Sequence, residues 1–389
     1  MTPEAARTRP TRGMEWAALL LLVAFVTLPF AGKPFHVDDT FFLRVTEAIV
    51  ADPLDPYGGE LDWWDRPLPL FDIDSNPPGL NYYLAPVASV TNFSELALHL
   101  AMIPFFALFA VSVWSLARRF TRHPMWSVAF VMTSAGVVVS GNVMRDIPSA
   151  ALGVGAVAAA VAGTDRDDRR LWLLGGLLAG TAILTKYSAL LLLPLLAAYP
   201  ILAGKPRHCA WIAVPVGLLG LWFLHNLWIY GEVHFLGQLG RGYTSPGHGW
   251  RDNLCGLPVV AGSLLYLLPV LAWRSAATGD RLALAGALAS GLACWGLVQW
   301  YMVGGSDAQY LFWATTGGAL LFVCGLSGVR GSAPLLRSGG DRAARDSLFL
   351  LLWLLAPLLL SVLFVPFQAV RHFLPALAPC VLLAFRHLE

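Results

Sequence analysis

Charged residues are scarce in this sequence: Asp, Glu, Lys and Arg make up only 13% of its 389 residues. Soluble domains carry about 25%. Because 57% of the residues are hydrophobic and the mean hydropathy is +0.63, the chain has too little polar surface for a water-soluble fold. The net charge of +2, with no basic stretch interleaved with aromatic residues, argues against a nucleic-acid partner. These shortages predict a membrane protein.

Cysteine is also rare, and its five positions are far apart in the sequence. No Cys-x-x-Cys or His/Cys spacing typical of a metal site occurs, and an odd number does not suit a set of disulfides. We therefore expect small apolar thiols, no disulfide framework and no essential protein-bound metal.

Long apolar runs are abundant. Several continue for about 18 residues almost without charge, enough to cross roughly 30 Å of hydrocarbon as a helix. They predict an all-α polytopic membrane protein with about 11–13 transmembrane helices. The blocks lie near residues 14–30, 96–117, 125–143, 147–163, 171–184, 187–203, 209–230, 254–273, 282–303, 308–327, 347–366 and 373–385.

Alternate loops differ in their positive charge. The set that includes the N-terminus holds 18 of the 26 Lys and Arg residues, and the opposite set holds 8. Because cytoplasmic loops are enriched in Lys and Arg, the larger set is assigned to the cytoplasm. Acidic residues lean the other way, with 15 of 24 on the outward side. We expect an integral protein of a bacterial inner or plasma membrane, with its site on the periplasmic or extracellular side.

The longest polar region is the first outward loop, about residues 33–95. Apolar residues after Asp39 recur at helical spacing, which predicts an amphipathic helix lying on the membrane surface. We expect a single membrane domain over residues 1–389, without a separate soluble C-terminal domain.

Two adjacent acids open that amphipathic segment, in the motif His36-Val37-Asp38-Asp39-Thr40. Carboxylates in the first turn of a helix are favoured by the helix dipole, so a structural cap is one interpretation. A general base held at the membrane interface is the other. The motif alone leaves both open.

Three further outward charges interrupt apolar sequence. Asp146 stands between two apolar blocks, Lys186 is the only charge between residues 170 and 205, and Arg371 precedes the last block. Charges near membrane depth are costly, and those that persist usually line a site. A helix cap or an interfacial anchor still explains each of them singly.

Together, two acidic and two cationic points match one chemical need. Cations at the interface hold a lipid phosphate and offset the charge that develops as it leaves. A carboxylate within hydrogen-bond reach deprotonates an acceptor hydroxyl. The hypothesis requires that all four positions meet in one outward-facing cavity.

Five short motifs, in this order, resemble the C-type (GT-C) membrane glycosyltransferase superfamily. The resemblance is to the family 39 type, which includes protein O-mannosyltransferases and lipid A aminoarabinose transferases. The motifs cover most of the chain and are FHVDDTFFLRVTEAI, SNPPGLNYYLAPV, MRDIPSAAL, AILTKYSALLLLP and RHFLPALAP.

The resemblance implies an inverting transfer of a sugar from a polyprenyl-phosphate-linked donor to an acceptor outside the cytoplasm. The acceptor is a glycan, a lipid or a protein. By the same resemblance Asp38 is the general base, with Asp39 in support, and Asp146 helps to form the catalytic cavity. Lys186 and Arg371 match positions assigned to the donor phosphate.

Substrate-binding candidates come from the same motifs. Asn76 stands where aminoarabinose transferases often have a lysine before the Pro-Pro pair. Tyr82 and Tyr83 are candidates for stacking on a sugar, although aromatic belts at the membrane interface also explain such residues. His36 is a candidate for substrate contact or proton transfer.

Two other classes remain open. A transporter or lipid flippase would favour inverted repeats and ionisable groups near the midplane, and the sequence shows no convincing repeat. A non-catalytic membrane scaffold would not need the four charges.

Overall fold

The computed structural model describes residues 11–62, 66–241, 249–301, 307–335, 341–365 and 367–389. Helices dominate this part of the chain, which confirms the predicted all-α polytopic class. The α-helices are α1 Arg12–Thr27, α2 Val37–Ala51, α3 Leu70–Ile73, α4 Gly79–Thr91, α5 Glu95–Phe120, α6 Pro124–Met132, α7 Ala135–Val139, α8 Asp146–Arg166, α9 Arg169–Thr185, α10 Leu192–Leu202, α11 Ala213–Tyr230, α12 His234–Arg241, α13 Trp250–Ala261, α14 Leu268–Ala277, α15 Arg281–Tyr301, α16 Ala308–Ser332, α17 Arg342–Phe364 and α18 Leu374–Leu388.

Short 3₁₀ segments join several of these helices. They cover Leu28–Phe30, Tyr187–Leu191, Pro206–Ile212, Gly262–Leu267 and Val370–Phe373. Such tighter turns are common where one helix ends and the next begins in a new direction.

Seven helical segments within the described residues are long and apolar enough to cross a membrane. They make the chain an integral membrane protein. A bent pair, Trp250–Leu264 with Leu268–Ala277, raises the number to eight if it forms one span. The seven are Arg12–Phe30, Glu95–Phe120, Asp146–Arg166, Pro206–Tyr230, Arg281–Tyr301, Ala308–Ser332 and Arg342–Phe364.

The remaining predicted apolar blocks form shorter or interrupted helices, so seven or eight segments meet the length criterion where about 11–13 spans were expected. The block near 125–143 is divided between α6 and α7, and the block near 187–203 consists of a 3₁₀ turn followed by α10. The backbone breaks at Thr133 and Ser134 in the first block and after Leu191 in the second, while each block as a whole remains apolar. Counting apolar residues therefore does not reveal the interruption.

Helix α8 is the centre of the fold. In the apolar 18-residue stretch of α8, 94% of the residues are buried, whereas the corresponding share in the other six spans is 17–44%. Its sequence after Pro148 is largely Ala, Gly and Val, and small side chains let neighbouring helices approach closely. At Gly163, for example, a Cβ would lie 2.8 Å from the ring of Trp172 on α9. Outer helices instead expose large apolar side chains, such as Leu221, Leu224 and Trp228, which is favourable only in lipid.

The first outward loop contains the expected amphipathic helix. Val45 and Ile49 of α2 are buried against Tyr57 and Leu70 of the same loop. A small antiparallel hairpin pairs Glu60–Asp62 with Pro67–Pro69. Helix α4 then packs against both α2 and α5.

Charges that the loop count assigned to the cytoplasm lie together at one end of the bundle. Arg119 donates to Asp165 at 2.6 Å and to Asp346 at 2.8 Å, which links α5, α8 and α17. Arg386 donates to the carbonyl oxygen of Phe120 nearby. These contacts agree with the alternation of loops on which the predicted orientation depends.

Candidate active site

A cavity of about 650 Å³ lies at the N-terminal end of α8. Its walls come from α8, from the turn between α9 and α10, from α17 and from the segment that precedes α18. One part is charged and the rest is apolar, and Asp38 of α2 stands at the charged part.

The four predicted charges meet in this cavity. Lys186 Nζ donates to Asp146 Oδ1 at 2.6 Å, and Arg371 Nη2 donates to Asp38 Oδ2 at 3.2 Å. Arg371 Nε is also 3.8 Å from Asp146 Oδ2, so one guanidinium bridges the two carboxylates. Two acids and two cations thus form one connected cluster on the cavity wall.

Local structure explains how each charge reaches the cavity. Asp146 is the first residue of α8, where a carboxylate faces the positive end of the helix dipole. Lys186 ends α9 with an extended backbone, which turns its side chain out of the helix before the 3₁₀ turn begins. Arg371 lies in the 3₁₀ turn before α18, and Asp38 lies in the first turn of α2.

His372 also lines the cavity, although it was not among the residues predicted from the sequence. Burial and the nearby Lys186 cation lower the pKa of His372 to about 4, so its imidazole is neutral near neutral pH. Its Nδ1 donates to the carbonyl oxygen of Phe367 at 3.0 Å, which leaves Nε2 as a hydrogen-bond acceptor. Its position directly after Arg371 is the sequence signal that could have indicated it as a site residue.

Asp39 and His36 do not line the cavity. The Asp39 side chain is fully buried, and its Oδ2 accepts a hydrogen bond from His36 N at 2.7 Å. His36 Nδ1 in turn accepts from Asp38 N, so His36 and Asp39 form a capping box at the start of α2. Burial raises the pKa of Asp39. Of the two adjacent acids, Asp38 is the one that faces the cavity.

Asn76 lines the cavity, but its side-chain oxygen has a structural partner. Its Oδ1 accepts a hydrogen bond from Tyr187 N at 3.1 Å, directly after Lys186. Its carbonyl oxygen accepts from the Tyr57 hydroxyl at 2.7 Å. The loop residue therefore fixes the turn that presents Lys186.

Tyr82 and Tyr83 lie outside the cavity because they are on the outer face of α4. The Tyr82 hydroxyl donates to the carbonyl oxygen of Pro53, and the Tyr83 hydroxyl donates to that of Ala101. The inner face of α4 consists instead of residues such as Asn81 and Leu84. The two tyrosines are therefore not part of the candidate site.

A second ion pair is formed by Arg145, which also lines the cavity, and Asp74 of the first loop. Arg145 Nη1 and Nη2 each donate to one oxygen of Asp74 at 2.5 Å, and Nη2 also donates to Asn81 Oδ1 at 2.9 Å. The guanidinium stacks over the ring of Phe42 at 4.7 Å. This pair connects the first loop to the start of α8, immediately beside Asp146.

A buried chain of hydrogen bonds continues from this pair. Trp222 Nε1 donates to the Tyr187 hydroxyl at 3.0 Å, and that hydroxyl is hydrogen-bonded to His234 Nδ1 at 3.1 Å. His234 Nε2 then donates to the carbonyl oxygen of Asp74 at 2.7 Å. The chain fixes one imidazole tautomer and joins α11, α12 and the outward loop around the turn that carries Lys186.

In the part of the chain that the structure describes, no three His, Cys, Asp or Glu side chains converge as metal ligands would. The absence of an essential metal remains a prediction.

Residues 75–229 match the sequence pattern of the dolichyl-phosphate-mannose-protein mannosyltransferase family. The matched region includes Asp146 and Lys186 but neither Asp38 nor Arg371. No curated protein matches the chain by sequence.

Solved structures show the same fold over nearly the whole chain. One is the archaeal oligosaccharyltransferase AglB from Archaeoglobus fulgidus in complex with an inhibitory peptide and a dolichol-phosphate. It has a TM-score of 0.57 and 14% identity, over 96% of this chain and 50% of AglB. The apo form of the A. fulgidus oligosaccharyltransferase gives a TM-score of 0.58 and 14% identity, over 97% of this chain and 50% of that one. ArnT from Cupriavidus metallidurans in the apo state gives 0.50 and 16%, over 97% and 77%.

This chain spans about half the length of the oligosaccharyltransferase. The match of the mannosyltransferase pattern and the shared fold confirm the predicted resemblance to the C-type membrane glycosyltransferases.

Proposed function

We propose that this protein is a glycosyltransferase. It transfers a sugar from a polyprenyl-phosphate-linked donor to an acceptor on the non-cytoplasmic side of the membrane, with inversion and with Asp38 as general base. The observation that carries the proposal is one cavity in which two acids and two cations adjoin a long apolar surface. The AglB structure, which has the same fold, holds a dolichol-phosphate.

The apolar part of the cavity suits a polyprenyl chain. On one side lie Leu191 and Leu195 of the segment Tyr187–Leu202. On the opposite side lie Trp353, Pro357 and Leu360 of α17. Ligand pockets are usually mostly apolar, with a few polar groups that fix orientation. The isoprenoid would lie between these two segments while its phosphate reaches the charged end.

The charged end suits the phosphate. Lys186 is 23% exposed and Arg371 is 25% exposed, so both remain accessible to a ligand although each contacts a carboxylate. A phosphate with several acceptor oxygens would share both cations. As the bond from the anomeric carbon to the phosphate oxygen breaks, its electron pair passes to that oxygen, and the two cations stabilise the developing charge.

Asp38 suits the role of general base because it lines the cavity and its side chain is 31% exposed. It would take the proton of an acceptor hydroxyl while the hydroxyl oxygen attacks the anomeric carbon opposite the phosphate. Asp146, held by Lys186, would complete the polar wall. The neutral His372 offers Nε2 as an acceptor for a substrate hydroxyl.

The test compares Asp38→Asn with Asp39→Asn in a strain that lacks the native gene. Both changes remove one carboxylate charge from the first turn of α2, but only Asp38 faces the cavity. Mass spectrometry of envelope glycoconjugates should show a sugar that is lost on deletion and restored by the native protein and by Asp39→Asn. Asp38→Asn should reduce transfer about 10²–10⁴-fold.

Protein amounts in the membrane are measured in parallel, so that a folding defect is distinguished from a loss of chemistry. Full restoration by Asp38→Asn would remove Asp38 from the mechanism. Unchanged glycoconjugates on deletion, together with solute uptake by reconstituted vesicles, would favour a transporter instead.

A further inference from the structure

A second cavity, of about 180 Å³, lies at the opposite end of the same helices. Helix α8 begins with Asp146 at the large cavity and carries Thr164 and Asp165 in its last turns, at the small one. At 1.5 Å per residue these ends are about 28 Å apart, close to the thickness of a hydrocarbon core. The small cavity therefore lies at the other membrane face, on the side with the larger count of Lys and Arg.

Cations outnumber acids around the small cavity. Arg119, packed beside it, engages both of its acids, Asp165 and Asp346, and also donates to the Tyr199 hydroxyl at 3.0 Å. Arg342, whose side chain is 61% exposed, donates to Asp165 at 2.6 Å. The two carboxylates are thus already shared between two arginines.

Lys205 and Arg345 add two more positive charges to the cavity wall. Lys205 Nζ donates to the carbonyl oxygen of Thr164 at 2.6 Å, and Arg345 Nη1 donates to that of Leu202 at 3.4 Å. Within the described part of the chain neither one forms an ion pair with a carboxylate. Four cations and two acids leave a surplus of two positive charges around a space open to solvent.

We propose that the small cavity binds a phosphate group, as carried by an anionic lipid headgroup of the adjoining leaflet or by a soluble phosphate. Basic pockets between transmembrane helices suit such headgroups. Lys205 and Arg345 would exchange contacts with neutral carbonyl oxygens for stronger charge-assisted hydrogen bonds. Tyr199 and Leu202 supply a partly apolar wall, which a lipid headgroup tolerates.

Occupation of this site would act on the substrate cavity through shared helices. Helix α17 carries Arg345 at the small cavity and Trp353 and Pro357 at the large one. Helix α10 likewise carries Leu195 at the large cavity and Tyr199 at the small one. A ligand that binds the folded arrangement stabilises it by mass action, so the bundle around the substrate cavity should become more stable.

The experiment uses the full chain in phosphatidylcholine nanodiscs. In one arm phosphatidylglycerol is titrated into the nanodiscs, and in the other inorganic phosphate is added. The thermal midpoint and the lipid retained in native mass spectra are measured. The test variant is Lys205→Gln/Arg345→Gln, and the control is Arg169→Gln/Arg170→Gln, which removes two exposed charges at the start of α9 outside the cavity.

At least one phosphate carrier should raise the midpoint of the native protein and of the control, with an apparent affinity roughly tenfold weaker in the test variant. A response to phosphatidylglycerol alone identifies the lipid headgroup, and a response to inorganic phosphate alone identifies the soluble ion. If neither carrier raises the midpoint, or if the control loses as much affinity, the proposal is overturned. The single changes Lys205→Gln and Arg345→Gln, each expected to weaken binding about threefold, replace the double variant if it is poorly expressed.

Discussion

Arg145 and Asp146 are neighbours in the chain, yet they belong to ion pairs with different surroundings. Arg145 pairs with Asp74 where the side chains are only 2% and 1% exposed, and Asn81 adds a hydrogen bond. Asp146 is only 7% exposed, but its partner Lys186 is 23% exposed on a cavity wall. The enclosed pair connects two parts of the protein, whereas the open pair keeps a cation within reach of a ligand. Burial separates their roles, although the distances between the charged atoms are almost the same.

The largest expected effect is on the enclosed pair. Asp74→Asn should lower the free energy of unfolding by about 3–5 kcal/mol, because it leaves the Arg145 charge buried without its counter-ion. The measurement is the thermal or detergent denaturation midpoint of the purified protein. Asp62→Asn, an exposed acid of the same loop, is the control and should change little.

The enclosed pair offers a second check. Asp74→Asn/Arg145→Gln removes both charges, and removal of both partners of a buried pair is often close to neutral. The double variant should therefore be more stable than Asp74→Asn. An equal or greater loss of stability would show that Arg145 acts mainly through other contacts, such as the one with Phe42.

The next effect concerns the open pair. Lys186→Met should weaken the binding of undecaprenyl phosphate about 10–100-fold, because a hydrogen bond to a charged group contributes about 1.5–3 kcal/mol. The denaturation midpoint should change less than in Asp74→Asn, because Asp146 keeps Arg371 as a second cation at 3.8 Å. Binding is measured by titration of the lipid into the protein in nanodiscs, with Arg44→Met as an outward-loop cation away from the cavity. Unchanged affinity would argue against a phosphate at Lys186.

A smaller effect is expected at the link between the two pairs. Asn76→Ala removes the acceptor for Tyr187 N and should cost about 1 kcal/mol of stability. It should also weaken undecaprenyl-phosphate binding several-fold, because Lys186 loses its fixed position while keeping its charge. Asn76→Asp, which retains an acceptor oxygen, should restore the midpoint. If the alanine variant binds normally, Asn76 does not position Lys186.

The smallest effect is expected on the outer face of α4. Tyr82→Phe removes one partly exposed hydrogen bond to the carbonyl oxygen of Pro53 and should change stability by about 1 kcal/mol or less. Lipid binding and transfer should remain at native levels. A clear loss of transfer, measured by glycoconjugate mass spectrometry, would indicate that Tyr82 contacts the substrate.

Much of the candidate site can be predicted because charge is rare here. Lys186 stands alone in a long apolar stretch, and the cost of burying a charge makes such a position informative. The alternation of loops then places it on the same face as Asp38, Asp146 and Arg371. Their meeting in one cavity follows from the structure, and their chemical roles remain proposals.

The rest depends on contacts that no local pattern reveals. The partner of Arg145 is Asp74, which is 71 residues away in the chain, and acids are common in that loop. Asp38 and Asp39 look alike in sequence, but the turn of α2 buries one and directs the other towards the cavity.

Gly79 lies at the start of α4, where a Cβ would be 2.5 Å from the carbonyl oxygen of Leu184, two residues before Lys186. Backbone carbonyl atoms cannot move aside as a flexible side chain would. A larger residue at this point would therefore force the start of α4 away from the end of α9. The glycine directly after the Pro77-Pro78 pair thus sets how closely the first loop can approach the turn that presents Lys186.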